Sequence, residues 1–422
     1  MSGGLIPRYA WFVVGLLWVV ALLNYLDRQV IFSILPLLRS DLKLSSIQLG
    51  LLSTVFLWVY GALSPFAGYL ADRFGARRVI LISLFIWSVT TWATGLSRSY
   101  SQMLLARGAM GMSEACYLPA GLALIASVHG RRTRSLATGV NFSGLYVGLI
   151  VGGAGGAWVA ERYGWRFLFI VLGVAGMVYS IFLKYALRAT ADTKPGSSSP
   201  PKVFSSIVEL LRLPAFGILC VVFAGMAIAN WLVFTWLPLF LFERYKMSLP
   251  EAGFVATFYS QVGCLIGMVA GGWVADRWSQ KSSWARIATQ VFSLAAAAPA
   301  LFLVARAGSL GVVIASLMIF GVGRAAYDCN IMPSLCQIAP EQLRATGYGI
   351  FNCFGCIAGG IMAAVAGWMK TNLGLGYSFY VAAGILLFSA LLLALLPAFP
   401  SKLMPAEGPR DIPAPTISPA IV

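Results

Sequence analysis

Long apolar stretches alternate with short polar segments along the whole chain. A run of about 20 apolar residues is long enough to cross the hydrocarbon core of a bilayer as a helix. Twelve such runs predict twelve transmembrane spans in two groups of six, and the protein is therefore expected to be an all-α membrane protein. The predicted spans cover residues 11–36, 46–71, 77–97, 101–128, 135–160, 166–187, 213–242, 252–275, 285–306, 310–336, 345–369 and 376–398.

Two polar segments suggest how the chain is divided. Residues 188–211 separate the two groups of spans and include a Pro-, Gly- and Ser-rich stretch at 194–202, which is typical of a flexible linker. The segment after Pro400 is rich in proline. The predicted organisation is an N-terminal six-helix bundle at 1–187, a cytoplasmic linker at 188–211, a C-terminal six-helix bundle at 212–400 and a disordered cytoplasmic tail at 401–422.

Composition agrees with a membrane location. Charged residues make up 10% of the chain, against about 25% in soluble domains. The net charge of +16 is best explained by basic loops that face the cytoplasm. The most basic segments then place both termini in the cytoplasm, and we expect a multi-pass protein of a bacterial inner membrane. The lipid bilayer, rather than nucleic acid, is the expected partner of this charge.

Neither a metal site nor an enzymatic site is expected. The single histidine, His129, follows span 4 beside a basic loop and is predicted to lie at the surface. All seven cysteines fall inside apolar runs, where Cys353 and Cys356 are interpreted as helix-packing residues. We find no nucleophile–base set, and we expect no cofactor.

The two groups of spans repeat one another. The pattern Gly50-x-x-x-Thr54 returns as Gly253-x-x-x-Thr257, 203 residues later. The pattern G-x-x-x-D-R at residues 68–73 returns at residues 272–277, 204 residues later. A nearly constant offset favours two related halves of the same orientation, as in some secondary transporters.

The loop after span 2 identifies a family. Residues 68–78 read G-Y-L-A-D-R-F-G-A-R-R, which resembles the signature G-x-x-x-D-R-x-G-R-R of the major facilitator superfamily and departs from it at Ala76. Span 4 carries Arg107-x-x-x-Gly111-x-x-Glu114, similar to a second signature of that superfamily. The resemblance implies two six-helix bundles around a central cavity that opens alternately to each side.

The resemblance also implies a cytoplasmic gate at these loops. The charged side chains there would hold the cytoplasmic ends of the helices together, whereas the simpler interpretation is a solvated turn that only sets topology. The predicted gate residues are Gly68, Asp72, Arg73, Arg77, Arg78, Asp276 and Arg277.

Span 1 narrows the resemblance. The run N-Y-L-D-R at residues 24–28 is similar to the anion:cation symporter family and also to the spinster family of lysolipid transporters. The run T-W-L-P-L at residues 235–239 favours the former. We therefore predict a secondary active transporter that couples protons to symport of a small organic anion, a sugar acid or another carboxylate. The alternatives are a spinster-like, proton-linked lysolipid transporter and, more remotely, a transporter-like sensor.

Ionisable residues inside the spans mark the candidate site, because each costs roughly 2.5–3.5 kcal/mol to insert into a bilayer. Residues 107, 111 and 114 share one face of span 4. We expect Asp27 and Glu114 to carry protons, Arg28 to bind the anion, and Arg107 to be a switchable partner of Glu114. The alternative is that these charges form static ion pairs between helices.

The second half offers one further charged pair. Arg324 and Asp328 are four residues apart on span 10 and are expected to pair with each other. Polar and aromatic residues near the expected cavity complete the substrate-binding set, and the protein is expected to work as a monomer. The predicted substrate-binding residues are Arg28, Arg107, Tyr25, Asn141, Tyr146, Trp231, Arg324, Tyr327, Asp328 and Asn352.

Overall fold

The computed structural model describes residues 7–129, 133–187, 208–282, 284–339 and 343–396. Within these ranges there are twelve helices long and apolar enough to cross a membrane, and there is no β-strand. We number them spans 1 to 12: Arg8–Ser33, Ser46–Ala67, Ala76–Gly95, Tyr100–Val128, Leu136–Tyr163, Trp165–Ala186, Pro214–Tyr245, Leu249–Ser279, Ala285–Arg306, Leu310–Ile338, Thr346–Asn372 and Gly376–Ala394. The prediction of twelve spans is confirmed. Most of the predicted linker and the whole predicted tail lie outside the described residues, so the domain boundaries stay a prediction.

Several helices extend beyond, or break within, these spans. A short helix, Leu35–Leu42, follows span 1, and the helix of span 2 continues to Phe74. Span 4 consists of the helices Tyr100–Glu114 and Tyr117–Val128, so that its break comes directly after Glu114. Span 5 contains a π-helical turn, Val151–Gly155. Such turns are frequent at functional sites.

The repeat in the sequence has a local structural counterpart. Lys43 and Lys246 are the described non-glycine residues with a left-handed backbone, with φ of 51° and 52°. Each ends a helix, and two residues later a serine begins the next one with a capping box, Ser45 with Gln48 and Ser248 with Glu251. Both pairs are again 203 residues apart. The two halves therefore enter spans 2 and 8 through the same turn, which stabilises both helix starts.

The two halves meet through small residues at equivalent positions. Gly50 on span 2 packs against the backbone of Ala363 on span 11. Gly253 on span 8 packs against Gly153 in the π-helical turn of span 5. A hydrogen bond of 2.6 Å from Thr54 Oγ1 to the carbonyl oxygen of Gly360 reinforces the first contact. Close approach of this kind needs small side chains, and the repeated glycines supply it.

The loop between spans 2 and 3 turns at Gly75, where φ is 89°. A residue with a side chain is strained at this φ, which explains why the signature loop has a glycine here.

The prediction that His129 lies at the surface is wrong. Its ring packs edge-on against Trp11 at 4.9 Å between ring centroids, and its Nδ1 lies 3.1 Å from Thr133 Oγ1. The end of span 4 lies against the start of span 1, and this contact buries the imidazole.

Candidate functional site

A buried ion pair joins spans 1 and 4. Arg28 donates two hydrogen bonds to Oε2 of Glu114, from Nη2 at 2.6 Å and from Nε at 3.1 Å. Both side chains are almost completely buried. Asn24, one turn before Arg28, accepts a longer hydrogen bond of 3.5 Å from Nη2. A charge-assisted pair of this geometry is strong because little water competes for it.

Aromatic rings surround the Arg28 guanidinium. Its central carbon lies 4.7 Å from the ring centroid of Tyr25, 4.9 Å from that of Phe56 and 5.0 Å from that of Tyr60. The faces of such rings attract cations and partly replace the lost hydration. The rings therefore help to keep a charged arginine inside the membrane, although Glu114 is its single carboxylate partner within the described part of the chain.

Arg107 has different partners from those predicted. Its Nε donates to the carbonyl oxygen of Leu52 at 3.3 Å, and its guanidinium lies 4.6 Å from the Phe56 centroid. The expected pairing of Arg107 with Glu114 does not occur in this conformation, where Arg28 occupies that position. The reason is axial distance: the two residues share a face of span 4 but lie about 10 Å apart along it. Phe56 lies against both guanidinium groups and so connects the two arginines.

Asp27 is buried, and it has a single hydrogen bond among the described residues. Thr91 on span 3 donates a hydrogen bond of 3.2 Å to its Oδ2. Oδ1 of Asp27 and Oε1 of Glu114 have no hydrogen-bond partner among the described residues. In that same part of the chain, no cation lies within ion-pair distance of Asp27. Each acid thus keeps one buried oxygen on which a proton can be held.

The second half carries a looser pair. Nε of Arg324 lies 3.4 Å from Oδ2 of Asp328, as their spacing on span 10 predicts. The Arg324 guanidinium lies 5.5 Å from the Phe234 centroid and interacts electrostatically with Tyr146 and Tyr25. Since Tyr25 also lies against Arg28, it connects the charged groups of the two halves. The structure therefore brings Tyr25, Tyr146, Arg324 and Asp328 together.

The remaining predicted substrate residues are Asn352, Trp231, Tyr327 and Asn141, and they have other contacts. Asn352 donates a hydrogen bond of 2.6 Å to Ser64 Oγ and so joins the two halves. Trp231 packs against Gly359 of span 11, whereas Tyr327 is buried in the hydrophobic core of the second half. Asn141 is buried in the first half, with neither amide atom hydrogen-bonded to any described residue.

The predicted gate is described in part. The side chains of Gly68 and Asp72 lie outside the described part of the structure. Nη2 of Arg77 donates to the carbonyl oxygen of Lys184 at the end of span 6, at 3.0 Å. Arg73 lies near Phe74, Arg277 lies near Trp273, and Asp276 accepts a hydrogen bond from Arg286. The gate role of these residues, Arg78 included, stays a prediction.

Sequence reasoning missed two features. One is a small cavity between the halves, with a volume of about 10 Å³, whose lining includes Gln29, Asn230 and Gln261. The adjacency of Gln29 to the N-Y-L-D-R run was the available signal, since an amide is also polar inside a span. The other is Glu243, at the end of span 7, which pairs with Arg39 of the first half and with Lys370 of span 11.

Comparisons with known proteins agree with this architecture. Residues 17–363 and 241–420 match the sequence profile of the Major Facilitator Superfamily. GudP, a probable galactarate/D-glucarate transporter of Bacillus subtilis, is 27% identical over 93% of this chain and 92% of its own. GarP, a probable galactarate/D-glucarate transporter of Escherichia coli, is 26% identical over 88% and 90%. A galacturonate transporter of Dickeya chrysanthemi is 27% identical over 61% of this chain and 80% of its own.

Solved structures show the same fold. A bacterial homologue of the human lysosomal transporter Spinster, in an inward-facing and occupied conformation, has a TM-score of 0.79 at 19% identity, covering 96% of this chain and 100% of the other. Its inward-facing and unoccupied structure has a TM-score of 0.72 at 20% identity, covering 93% and 96%. The match to the family profile shows that the chain belongs to the Major Facilitator Superfamily and is a multi-pass membrane transporter rather than an enzyme.

Proposed function

We propose that this protein is a proton-coupled symporter of small organic anions, with sugar acids as its substrate class. It works by alternating access in a bacterial inner membrane, with both termini in the cytoplasm. The observation that carries the proposal is the buried Arg28–Glu114 pair beside the carboxyl group of Asp27, which has no ion-pair partner among the described residues. The sugar-acid transporters among the relatives support this substrate class.

Charge balance explains how a proton and an anion are coupled. Two carboxylates and two arginines, at positions 27, 28, 107 and 114, sum to zero when all four are ionised. One added proton gives the cluster a charge of +1, which is costly in a low-dielectric site. A bound monoanion restores neutrality. The number of protons carried is therefore expected to equal the number of negative charges on the substrate.

Glu114 is the switch in this mechanism. A proton on its carboxylate removes the charge that holds Arg28. The guanidinium then lacks a counter-ion, and a substrate carboxylate replaces it with two parallel hydrogen bonds. Release of the substrate on the far side lets Glu114 lose its proton and pair with Arg28 again. Binding of each partner thus favours binding of the other, which is what symport requires.

Asp27 provides a second position for a proton. Its one hydrogen bond comes from Thr91, and its other oxygen has no partner among the described residues. Among the described residues no cation lies within ion-pair distance of it, so an ionised carboxylate there is costly. Dicarboxylates would use both acids, whereas monocarboxylates need only one. The fold also suits a lysolipid carrier, but the likeness to the Spinster homologue is too distant to show more than the fold.

The test uses purified protein in liposomes that contain a pH-sensitive dye. Galactarate, galacturonate and a lysolipid are added outside in turn, with protein-free liposomes as the blank. Glu114→Gln is compared with Glu161→Gln, a change at an exposed acid near the end of span 5. We expect internal acidification with the sugar acids for the wild type and for Glu161→Gln, and none for Glu114→Gln.

Two results would contradict the proposal. Proton movement after addition of the lysolipid, with none after addition of the carboxylates, would show that the protein is a lysolipid transporter. Full uptake by a normally folded Glu114→Gln variant would mean that Glu114 is not the coupling acid.

A further inference from the structure

Three amide side chains, two buried and one partly buried, meet between the two halves of the transporter. The cavity of about 10 Å³ is lined by Gln29 of span 1, Asn230 of span 7 and Gln261 of span 8, together with Arg324 of span 10. This volume is that of a single water-sized group. We call these three amides the amide pocket. It lies outside the Arg28–Glu114 pair and has no part in the coupling mechanism above.

The amide pocket has unused hydrogen-bonding capacity. Gln29 is 0% exposed and Gln261 is 2% exposed. Both amide atoms of Gln29, Oε1 of Gln261 and Oδ1 of Asn230 have no hydrogen-bond partner among the described residues. Buried polar atoms are normally satisfied, and those that are not call for an explanation. A ligand group that enters the cavity would provide one.

The chemistry of these four atoms selects the ligand group. Three are acceptors and one, Nε2 of Gln29, is a donor. A carboxylate only accepts hydrogen bonds and leaves all three acceptors without a donor, whereas a hydroxyl group donates to one of them and accepts from Nε2 of Gln29. The amide pocket is therefore suited to a hydroxyl group, for which a water molecule is the natural substitute.

Arg324 places a carboxylate next to that hydroxyl. Its side chain lines the same cavity, and its contact with Asp328 is made through Nε at 3.4 Å. Among the described residues, Nη1 makes a single long contact of 3.9 Å, with Cys264 Sγ. The Nη edge of the guanidinium thus has the capacity to bind an anion. A carboxylate on Arg324 brings the substituent of the adjacent carbon towards the amides.

We propose that the amide pocket and Arg324 form a subsite for a 2-hydroxycarboxylate group, in which Arg324 binds the carboxylate and the amides bind the neighbouring hydroxyl. The inference rests on the proposed function, which it deepens by naming the substituent that the substrate must carry. Because Gln29 belongs to the first half and the other groups to the second, the bound hydroxyl joins the two halves. The subsite thereby links recognition of the substrate to closure around it.

The test compares ligands that differ only in hydroxyl groups. Galactarate is compared with adipate, and tartrate with succinate, by isothermal titration calorimetry on the purified protein at one fixed pH. We expect the wild type to bind the hydroxylated member of each pair at least about 10-fold more tightly, since loss of a matched hydroxyl leaves the site's polar groups unpaired. Gln29→Met should weaken galactarate binding about 10-fold and change adipate binding less than about 2-fold. Gln261→Met, made separately, should show the same pattern from the other half.

Gln290→Met is the matched control. Gln290 is also a buried glutamine, but both polar atoms of its amide are hydrogen-bonded. Its Nε2 donates to the Tyr327 carbonyl oxygen at 3.4 Å, and its Oε1 accepts from Ser334 Oγ at 3.1 Å. It does not line the cavity, so the preference for galactarate should survive its replacement. Equal affinity of the wild type for galactarate and adipate would overturn the subsite but leave the proposed function standing. Equal weakening of both ligands in Gln29→Met and Gln261→Met would also overturn it. Failure of the wild type to bind any of the four carboxylates would overturn the proposed function as well.

Discussion

Each half of the transporter contains an arginine–carboxylate pair, and the two pairs differ in burial and reach. The side chains of Arg28 and Glu114 are 6% and 0% exposed. The two residues are 86 positions apart in the sequence, and their pair joins two helices. The side chains of Arg324 and Asp328 are 19% and 39% exposed and lie one turn apart on one helix. Removal of one partner from a buried pair costs about 3–5 kcal/mol, whereas a local pair on a helix contributes about 0.2–0.5 kcal/mol.

This difference assigns different tasks to the two halves. A pair that is costly to break suits a switch, because only a proton or a competing anion changes it. A pair that is easily broken suits ligand exchange, because the arginine gives up its contact at little cost. In the proposed mechanism, coupling therefore belongs to the first half, and Arg324 of the second half binds the far end of the substrate.

The largest expected effect comes from removing one side of the buried pair. Arg28→Met leaves Glu114 buried without its cation and should destabilise the protein by about 3–5 kcal/mol. The measurement is the apparent melting temperature of the purified protein, with uptake measured in parallel. Uptake should be lost.

A second substitution sharpens this result. The double variant Arg28→Met/Glu114→Gln removes both charges and should recover most of the lost stability without recovering uptake. Equal destabilisation in the single and double variants would show that the rings around Arg28, rather than its charge partner, account for the effect.

The next effect concerns the packing that supports the pair. Gly111 lies between Arg107 and Glu114 on span 4, and a Cβ there would lie 2.6 Å from the carbonyl oxygen of Phe56. Gly111→Ala should therefore push span 4 away from span 2 and cost about 1–3 kcal/mol. Gly384→Ala in span 12 is the control, because nothing lies within 4 Å of its added Cβ. Equal melting temperatures for the two variants would show that spans 2 and 4 separate freely.

Much of this architecture follows from the sequence. Apolar length predicts the spans, and the near-constant offset predicts two related halves that reappear in the turns at Lys43 and Lys246. The partner of Glu114 does not follow. Helical spacing tells which residues share a face, but it does not tell how one helix is rotated and shifted against another. In this structure the partner of Glu114 is therefore Arg28 and not Arg107.

The amide pocket was missed for a related reason. An uncharged glutamine in an apolar run is compatible with ordinary packing, and only the fold brings Gln29 next to Gln261 and Asn230.

His129 was predicted to lie at the surface, but it is buried. Its basic sequence neighbours indicate a surface, yet the packing of span 4 on span 1 buries it.

A smaller effect is expected in the second half. Asp328→Asn removes the charge partner of Arg324 and should destabilise the protein less than Glu114→Gln does, because the pair is local and less buried than the Arg28–Glu114 pair. Its apparent melting temperature is compared with that of Glu114→Gln, in which Arg28 loses its partner in a buried site. A loss in Asp328→Asn as large as that in Glu114→Gln would erase the distinction between the two pairs.

The smallest effect is expected at an exposed pair in the first half. The hydrogen bond from Arg166, with a second from Trp165 Nε1, lowers the pKa of Asp41 below its usual value. A lowered pKa in the folded state means that the stabilisation is present above the unfolded-state pKa of about 3.9 and is lost as the pH falls below it. Since Asp41 is exposed, the contribution should be a few tenths of a kcal/mol. The difference in melting temperature between wild type and Asp41→Asn should therefore be small at pH 7 and shrink below about pH 4. If the difference in melting temperature instead grows as the pH falls, the pH dependence has the opposite sign to the one expected here. Burial would then not decide how much each arginine–carboxylate pair stabilises the protein.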